Sequence, residues 1–236
     1  WYSGGLYIPT DIYTLYKRSK GLPTCTIYSS HDTLMPAMKA CARHRSADKG
    51  LNDKAIVRKF VEHEKLHSLA QLSEKDRQAV ITHMKLDFAL AALMSSDLMF
   101  AAGSETGLFE RIDVLRSGPA EFARGIDSDL PVFMSEILQI KAAAKIFNCE
   151  GVVIPFGSWQ PDKTGVRGYV KSSATGQHAM VVVNNGAQAA TVKLPKRLKN
   201  AAKLVVHRPE GTAALPGKPA HLTLAAGQVL IITGKR

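Results

Sequence analysis

Residues 21–35 read GLPTCTIYSSHDTLM, and this stretch carries the strongest fold signal in the chain. The β-forming residues 24–29, which follow Pro23, predict a short buried strand, and the apolar spacing after them predicts a helix. His31 and Asp32 therefore follow the carboxyl end of a strand and precede a helix. In parallel α/β folds, and above all in TIM barrels, this edge of the sheet carries the catalytic groups. The alternative is a loop in which the Asp32 side chain caps the following helix.

A second segment of the chain has the same order of elements. Residues 97–102, DLMFAA, predict another short buried strand, and the polar loop GSETG follows at residues 103–107. Glu105 thus follows the second strand as His31 and Asp32 follow the first. Because the carboxyl ends of neighbouring parallel strands meet at one edge, we expect these three side chains at the same edge of one sheet. The alternative for Glu105 is a loop residue that is merely solvated.

Helical periodicity dominates the chain up to residue 148, and short β-rich runs follow. Helices are predicted over residues 10–19, 33–43, 52–70, 73–93 and 128–147, with the Ser73 hydroxyl as a cap and Asp76 in the first turn of the fourth. Strands are predicted over residues 152–156, 166–171, 178–183, 190–194, 203–207, 221–224 and 228–233, and Asn185–Gly186 is a strong hairpin signal. We therefore divide the chain into residues 1–148, a mixed α/β unit, and residues 149–236, an all-β module of the sandwich type.

Two motifs match known site patterns only in part. HEKLH at residues 63–67 has the form of the H-E-x-x-H zinc motif. Charged Glu62 and Lys65 flank it, and no third ligand follows at a recognisable spacing, so we interpret it as a solvated helix face. GTAALPGK at residues 211–218 has the wrong spacing for a phosphate-binding loop, and Pro219 stands where Ser or Thr would hold Mg²⁺. The sequence therefore predicts neither a metal nor another cofactor.

The composition bounds the possible partners. The chain has 236 residues, 45% of them hydrophobic, and a formal net charge of +11. The charges are scattered and no aromatics interleave them, so we expect a solvated surface; an RNA or another acidic partner is the weaker alternative. The three widely spaced cysteines suggest no disulfide framework, which favours a cytoplasmic or organellar location over secretion. No run is apolar enough to span a bilayer, because Asp87 and Asp97 interrupt the best candidate, so we expect no membrane partner.

The order of these pieces resembles the C-terminal part of α-amylase superfamily enzymes, which are retaining α-glucan hydrolases and transglycosidases. In that family the seventh barrel strand ends in an Asn-His-Asp-like motif, and YSSHDT at residues 28–33 is similar to it. The eighth strand ends in a Gly-x-Glu-x-Gly-like motif, and FAAGSETG at residues 100–107 is similar. A final barrel helix and a C-terminal β-sandwich follow. The resemblance therefore implies the C-terminal portion of a (β/α)8 TIM barrel followed by an antiparallel β-sandwich.

The resemblance also implies roles for the polar residues. His31 would hydrogen-bond the hydroxyls of the sugar at the cleavage point, and Glu105 would contact substrate. Asp32 would be the third carboxylate, which stabilises the oxocarbenium-like transition state and is neither nucleophile nor acid. The implied substrate is an α-glucan or a maltooligosaccharide.

The sequence departs from the family pattern in several places. Ser30 stands where the family usually has Asn, and the insert over residues 47–78 is long. No Gly-x-Arg-x-Asp nucleophile motif and no strand-borne acid Glu precede His31, so the remainder of a barrel, or another chain, would have to supply them. We therefore expect that this chain is the tail or a piece of a larger protein and that it is inactive by itself. The alternatives are a catalytically inactive relative that serves as a structural or binding subunit, and an unrelated α+β binding protein with an RNA or protein partner.

Overall fold

A computed structural model describes most of the chain. The described residues are 2–3, 25–29, 35–45, 62, 65–66, 68–109, 117–157, 165–208 and 211–235. The predicted helix over residues 10–19 lies outside these residues, as do most of residues 47–64.

A parallel sheet begins the fold. Its strands are β1 (Tyr2–Ser3), β2 (Cys25–Ile27) and β3 (Asp97–Met99), with β2 in the centre. β2 is parallel to both neighbours, and its register with β3 runs from Cys25 opposite Asp97 to Ile27 opposite Met99. The prediction that these two segments form neighbouring parallel strands is therefore confirmed. β1 was not predicted, because two residues carry no periodicity.

The prediction that β3 is buried is wrong. Asp97 and Met99 are exposed, Met99 by 36%, whereas Thr26 and Ile27 in β2 are buried. The reason is position, since β2 has a strand on each side and β3 is an edge strand of the described sheet. Apolar composition alone does not distinguish these two positions.

The structure describes four helices in this region. They are α1 (Pro36–Arg45), α2 (Glu74–Ala92), α3 (Pro119–Phe122) and α4 (Leu130–Ala143). α2 packs against β2 and β3, while α1 and α4 pack on α2. The predicted start of α2 is confirmed, because the Ser73 Oγ accepts a hydrogen bond from the Asp76 amide at 3.2 Å. α1 begins later than predicted, at Pro36, a residue that is favoured in a first turn because it lacks an amide hydrogen.

Two predicted helices end differently in the structure. The prediction of one helix over residues 52–70 is wrong at its end, because Lys65 has a φ of 51° and residues Leu69–Gln71 form a 3₁₀ turn. Ser68 directs that turn, with a side chain that accepts from the Ala70 amide at 3.2 Å. The last predicted helix ends at Ala143, and Lys145–Asn148 continue as a 3₁₀ turn. Asn148 stabilises the transition from α-helix to 3₁₀ turn, because its side-chain amide donates a hydrogen bond to the Lys141 carbonyl at 2.5 Å.

Two antiparallel sheets form the C-terminal region. Their strands are β4 (Val152–Gly157), β5 (Val166–Ser172), β6 (Gln177–Asn184), β7 (Ala190–Lys193), β8 (Lys203–Arg208), β9 (Gly211–Ala214), β10 (His221–Leu224) and β11 (Val229–Lys235), and a short helix, α5 (Lys196–Lys199), follows β7. A six-stranded sheet has the order β4-β5-β6-β11-β8-β9, and β10 pairs with β7 separately. Every predicted strand of this region is present, and β9, within the GTAALPGK segment, was missed.

The predicted hairpin at Asn185–Gly186 is wrong. Both edges of β6 are already paired, with β5 and β11, so β7 crosses to the second sheet. The buried Asn184 side chain holds this crossing, since it donates to the Gln188 and Leu224 carbonyls at 2.8 and 3.2 Å. An Asn-Gly pair signals a tight turn but does not specify which strands the turn connects.

Two hydrophobic cores lie on opposite faces of the six-stranded sheet. One face packs against α2 and α4, and the other packs against β7, β10 and α5. A sheet with a second antiparallel sheet over one face is compatible with the expected C-terminal β-sandwich. A buried ion pair between Asp87 in α2 and Arg167 in β5 also crosses the predicted boundary near residue 148. The division into residues 1–148 and 149–236 stays a prediction.

Candidate functional site

The candidate site lies at the carboxyl edge of the parallel sheet, where β2 and β3 end. The Tyr28 amide donates to the Met99 carbonyl at 2.8 Å, which extends the parallel pairing by one residue. The Tyr28 hydroxyl donates to the Met84 carbonyl at 3.1 Å, and its ring packs edge-on against Phe88. These contacts fix the end of β2 beneath α2, so the chain leaves the sheet from a rigid point.

Ser29 joins the two loops that leave this edge. Its side chain is fully buried, and its Oγ accepts a hydrogen bond from the Ala101 amide at 2.9 Å. The same oxygen lies 2.6 Å from the Oγ of Ser104, which is 1% exposed. A buried hydroxyl that bridges two segments is costly to leave unsatisfied, so this pair fixes the spacing between the loops. Sequence reasoning did not assign a role to Ser29 or Ser104, because their contact joins residues 75 apart in the chain.

The loop after β3 is a compact turn that two glycines allow. Gly103 and Gly107 have φ angles of 88° and 71°, in the left-handed region where a side chain is strained. The Leu108 amide donates to the Gly103 carbonyl at 3.0 Å, which closes the loop. A Cβ on Gly107 would lie 2.5 Å from the Cδ1 of the buried Leu69, so a side chain there would force Leu69 to shift within the core. The GSETG segment is therefore built as a rigid loop at the predicted edge.

Glu105 lies in this loop, next to Ser104, and is partly buried. Its Oε2 is buried, and no described residue donates a hydrogen bond to it. A buried carboxylate oxygen requires a donor, from another part of the chain, from water or from a ligand hydroxyl. Glu105 therefore contributes to this edge of the sheet a carboxylate oxygen whose acceptor capacity no described residue uses.

His31 and Asp32 lie outside the described residues. The residues that bracket them are placed, since Ser29 and Met35 are both fully buried. α1 begins at Pro36, so Met35 and not Asp32 directly precedes the helix. This start position does not support the alternative in which Asp32 caps that helix. The register of β2 and β3 shows that Ser29, after β2, and the loop that contains Glu105, after β3, lie at the same edge of the sheet.

A separate buried cation lies near the opposite edge of the sheet. The Lys141 ammonium donates to the carbonyls of Ala92, Ser95 and Phe147 at 2.9, 2.5 and 3.0 Å. Burial lowers the pKa of Lys141 to about 8, while the carboxylates of Asp97 and Glu150 oppose the shift. Three carbonyl acceptors favour the charged form, so Lys141 secures the end of α2. It belongs to the framework rather than to the candidate site.

Neither a metal centre nor a membrane span is found in what the structure describes. The described His, Cys, Asp and Glu residues form no group of three or more that could hold a metal ion. His63, Glu64 and His67 of the H-E-x-x-H match lie outside the described residues, and Lys65 between them is in a turn, which contradicts a continuous solvated helix face there. No described helix is long and apolar enough to cross a membrane.

Solved structures with the same arrangement are known. An α-amylase from Geobacillus thermoleovorans, complexed with acarbose, matches 96% of this chain at 11% identity and a TM-score of 0.55. AmyP in complex with maltose matches 94% at 13% identity and a TM-score of 0.58. A pullulanase from Anoxybacillus sp., complexed with maltotetraose, matches 99% at 13% identity and a TM-score of 0.52. These identities are low, so the matches establish similarity of fold.

The matches cover only part of the other proteins. The chain spans 43% of the α-amylase, 43% of AmyP and 32% of the pullulanase. All three belong to the α-amylase superfamily, so the resemblance predicted from the sequence is confirmed at the level of fold. No protein-family model and no curated protein sequence matches the chain.

Proposed function

We propose that this chain is the C-terminal portion of a retaining α-glucan-active glycoside hydrolase or transglycosidase. The observation that carries the proposal is the parallel pairing of β2 with β3, with Ser29 bonded to Ser104 across their carboxyl ends. This pairing supports a site at the edge where α/β enzymes carry their catalytic groups, with His31 and Asp32 after one strand and Glu105 after the other. The fold similarity to three α-glucan-related proteins gives independent support.

We further propose that β2 and β3 are the last two strands of a (β/α)8 barrel. Three observations support this: the strands are parallel, a long segment containing α1 and α2 connects them, and a two-sheet antiparallel region follows α4. The exposed edge of β3, with Met99 36% exposed, is compatible with a further strand beside it. A barrel closes in this way, because its last strand pairs with its first.

In this proposal Asp32, His31 and Glu105 contact different groups of one sugar ring. Asp32 faces the anomeric carbon, and its negative charge stabilises the positive charge that develops as the glycosidic bond breaks. His31 hydrogen-bonds sugar hydroxyls in the ground state and in the transition state. Glu105, with a buried oxygen that no described residue satisfies, accepts a hydrogen bond from another hydroxyl. The Ser29–Ser104 pair holds the two loops at a constant separation.

The nucleophile and the acid are proposed to lie elsewhere in the complete enzyme. A retaining mechanism requires two carboxyl groups about 5–5.5 Å apart across the scissile bond. We assign neither group to this chain, which spans 32–43% of the matched proteins. The chain alone is therefore expected to show no turnover, and the remainder of the barrel is its required partner.

The test compares the 236-residue chain with the complete polypeptide that contains it. Both are incubated with maltotetraose, and the products are followed by chromatography and by NMR of the anomeric protons. The proposal predicts products of retained α-configuration from the complete polypeptide and none from the chain. Turnover by the chain alone would mean that the site has been misassigned. A complete polypeptide that binds maltotetraose without turnover would instead favour the inactive, binding relative.

Substitutions separate the proposed roles of the two loop residues. His31→Ala in the complete polypeptide is expected to raise KM and lower kcat together, because a hydroxyl contact exists before and during the reaction. Asp32→Asn is expected to act mainly on kcat, because the ground-state sugar carries no charge for the carboxylate to stabilise. Equal effects of the two substitutions on kcat and KM would contradict this division.

A further inference from the structure

An apolar groove lies on the face of the six-stranded sheet that packs against β7, β10 and α5. Its volume is about 550 Å³, and it lies between strands β4 and β5 on one side and the segment formed by β7 and α5 on the other. Sites for single small molecules typically have about 300–1,000 Å³, so the groove has the size for one such ligand. It involves none of the residues of the proposed catalytic edge.

The floor of the groove is an apolar furrow in the sheet. Ile154 in β4 lies directly opposite Val170 in β5, so their side chains are adjacent on one face. Val166 lies on the same face, four residues before Val170, and also lines the groove. Ile154 is 38% exposed, since the two-stranded sheet of β7 and β10 covers only part of the larger sheet. The furrow can therefore bury a linear apolar group.

The wall of the groove is cationic. Lys193, Lys196 and Arg197 line it and are exposed, and no acidic side chain is among the described residues that line it. Arg197 is held in place, because its Nη1 donates to the Ser172 Oγ at 2.9 Å. That hydroxyl is itself buried and lies 3.0 Å from the His178 Nδ1. An oriented guanidinium beside an apolar furrow suits a carboxylate that carries an apolar chain.

We propose that this groove binds a single-chain amphiphile with a carboxylate head, the class of a free fatty acid. The carboxylate is bound by Arg197 with Lys196 beside it, and the alkyl chain lies over Ile154, Val166 and Val170. Each methylene that leaves water adds to the affinity, so a chain of several carbons supplies the affinity and the cations supply the selectivity for an anion. A protein partner is the less favoured occupant, because specific interfaces bury about 800 Å² on each side, more than a groove of this size offers.

The test uses the 236-residue chain and sodium decanoate below its micellar concentration. Titration calorimetry should show saturable binding to one site, and ¹⁵N-NMR should show shifts confined to residues 154–155, 166–170 and 191–197. The neutral amphiphile octyl glucoside and the short anion butyrate should each bind at least tenfold more weakly. A decanoate titration without saturation, or equal binding of octyl glucoside, would overturn the proposal.

Matched variants locate the site. Arg197→Gln and Ile154→Ser should each weaken decanoate binding about tenfold, because one removes the anion contact and the other part of the apolar floor. The controls are Lys218→Gln and Val132→Ser, an exposed cation and an exposed apolar residue that do not line the groove. Controls that weaken binding as much as the groove variants would contradict the site. Binding of an extended valine–glutamate peptide at the groove, with none of decanoate, would assign it to a protein partner and overturn the proposal.

Discussion

Replacing Ser29 with alanine tests whether the two loops of the candidate site form one unit. The Ser29 hydroxyl is fully buried and contacts both the Ala101 amide at 2.9 Å and the Ser104 hydroxyl at 2.6 Å. Ser29→Ala removes both contacts and lies outside β2, which ends at Ile27. It leaves an amide and a hydroxyl of the neighbouring loop without their partner.

The magnitude follows from these two contacts. A hydrogen bond contributes about 0.5–1.5 kcal/mol net, and a buried group left without a partner costs about 1–3 kcal/mol. Two such groups, one of them only partly buried, give an expected loss of about 2–3 kcal/mol in the free energy of unfolding. For a chain of this length, that loss lowers the melting temperature by about 4–12 °C.

Urea unfolding followed by circular dichroism measures the effect. Ser29→Ala, Ser104→Ala and the double variant form a cycle, and the two residues should couple by about 0.5 kcal/mol or more because they share a hydrogen bond. Ser135→Ala is the matched control, since Ser135 is exposed on α4 and its hydroxyl makes only a 3.4 Å contact with Gln139. If Ser29→Ala destabilises the chain no more than Ser135→Ala does, the two loops are not joined as we describe.

Two further substitutions test the core of the C-terminal sheet and the packing of the GSETG loop. Burial and the charge of Lys141 lower the pKa of Lys171 from 10.5 to about 8. Because Lys171 binds its proton more tightly in the unfolded chain than in the folded chain, the free energy of unfolding should rise as the pH increases from about 8 to 10.5. Lys171→Met should therefore raise stability at pH 7 by up to about 3 kcal/mol and flatten this rise, measured by urea unfolding at pH 7 and pH 9.5, whereas the exposed Lys203→Met should do neither. Gly107→Ala should destabilise the chain by at least about 2 kcal/mol, since a positive φ and a Cβ 2.5 Å from Leu69 both oppose it, and Gly217→Ala, with a φ of 68° and open space, should cost about 1 kcal/mol in thermal unfolding. Equal effects of the two glycine substitutions would contradict the close packing of the GSETG loop.

The sequence was sufficient for elements that local chemistry determines. The strand at Cys25–Ile27, the Ser73 cap and the C-terminal strands follow from β-propensity, capping and alternation, and all are present. The parallel pairing of β2 with β3 was also predictable, because both segments are followed by a polar loop and then by helical sequence.

The sequence was insufficient where partners distant in the chain decide the outcome. Asn185–Gly186 has the local chemistry of a hairpin, but the pairing of β6 with β11, formed by a segment some 45 residues later, leaves β7 no edge to join. Burial of β3 likewise depends on a neighbouring strand rather than on its own residues. The Ser29–Ser104 contact joins residues 75 apart, so no local pattern could have indicated it.

The candidate site was predicted in part. Glu105 lies at the expected edge with a buried oxygen that no described residue satisfies, which agrees with its proposed contact to substrate without testing it. The roles of His31 and Asp32 rest on their motif and on the described residues that bracket them. The supporting contacts of Ser29, Ser104 and Gly107 became evident only from the structure.

The most direct test of the proposed function is kcat of the complete polypeptide with Asp32→Asn, measured on a soluble α-glucan. The substitution is nearly isosteric, so circular dichroism should be unchanged, and Asp127→Asn, at an exposed aspartate, is the control. The proposal predicts that kcat falls about 10²–10³-fold, because a charge that acts chiefly in the transition state is lost, while KM changes far less. A kcat close to that of the wild type would show that Asp32 does not take part in the reaction and would contradict the proposal.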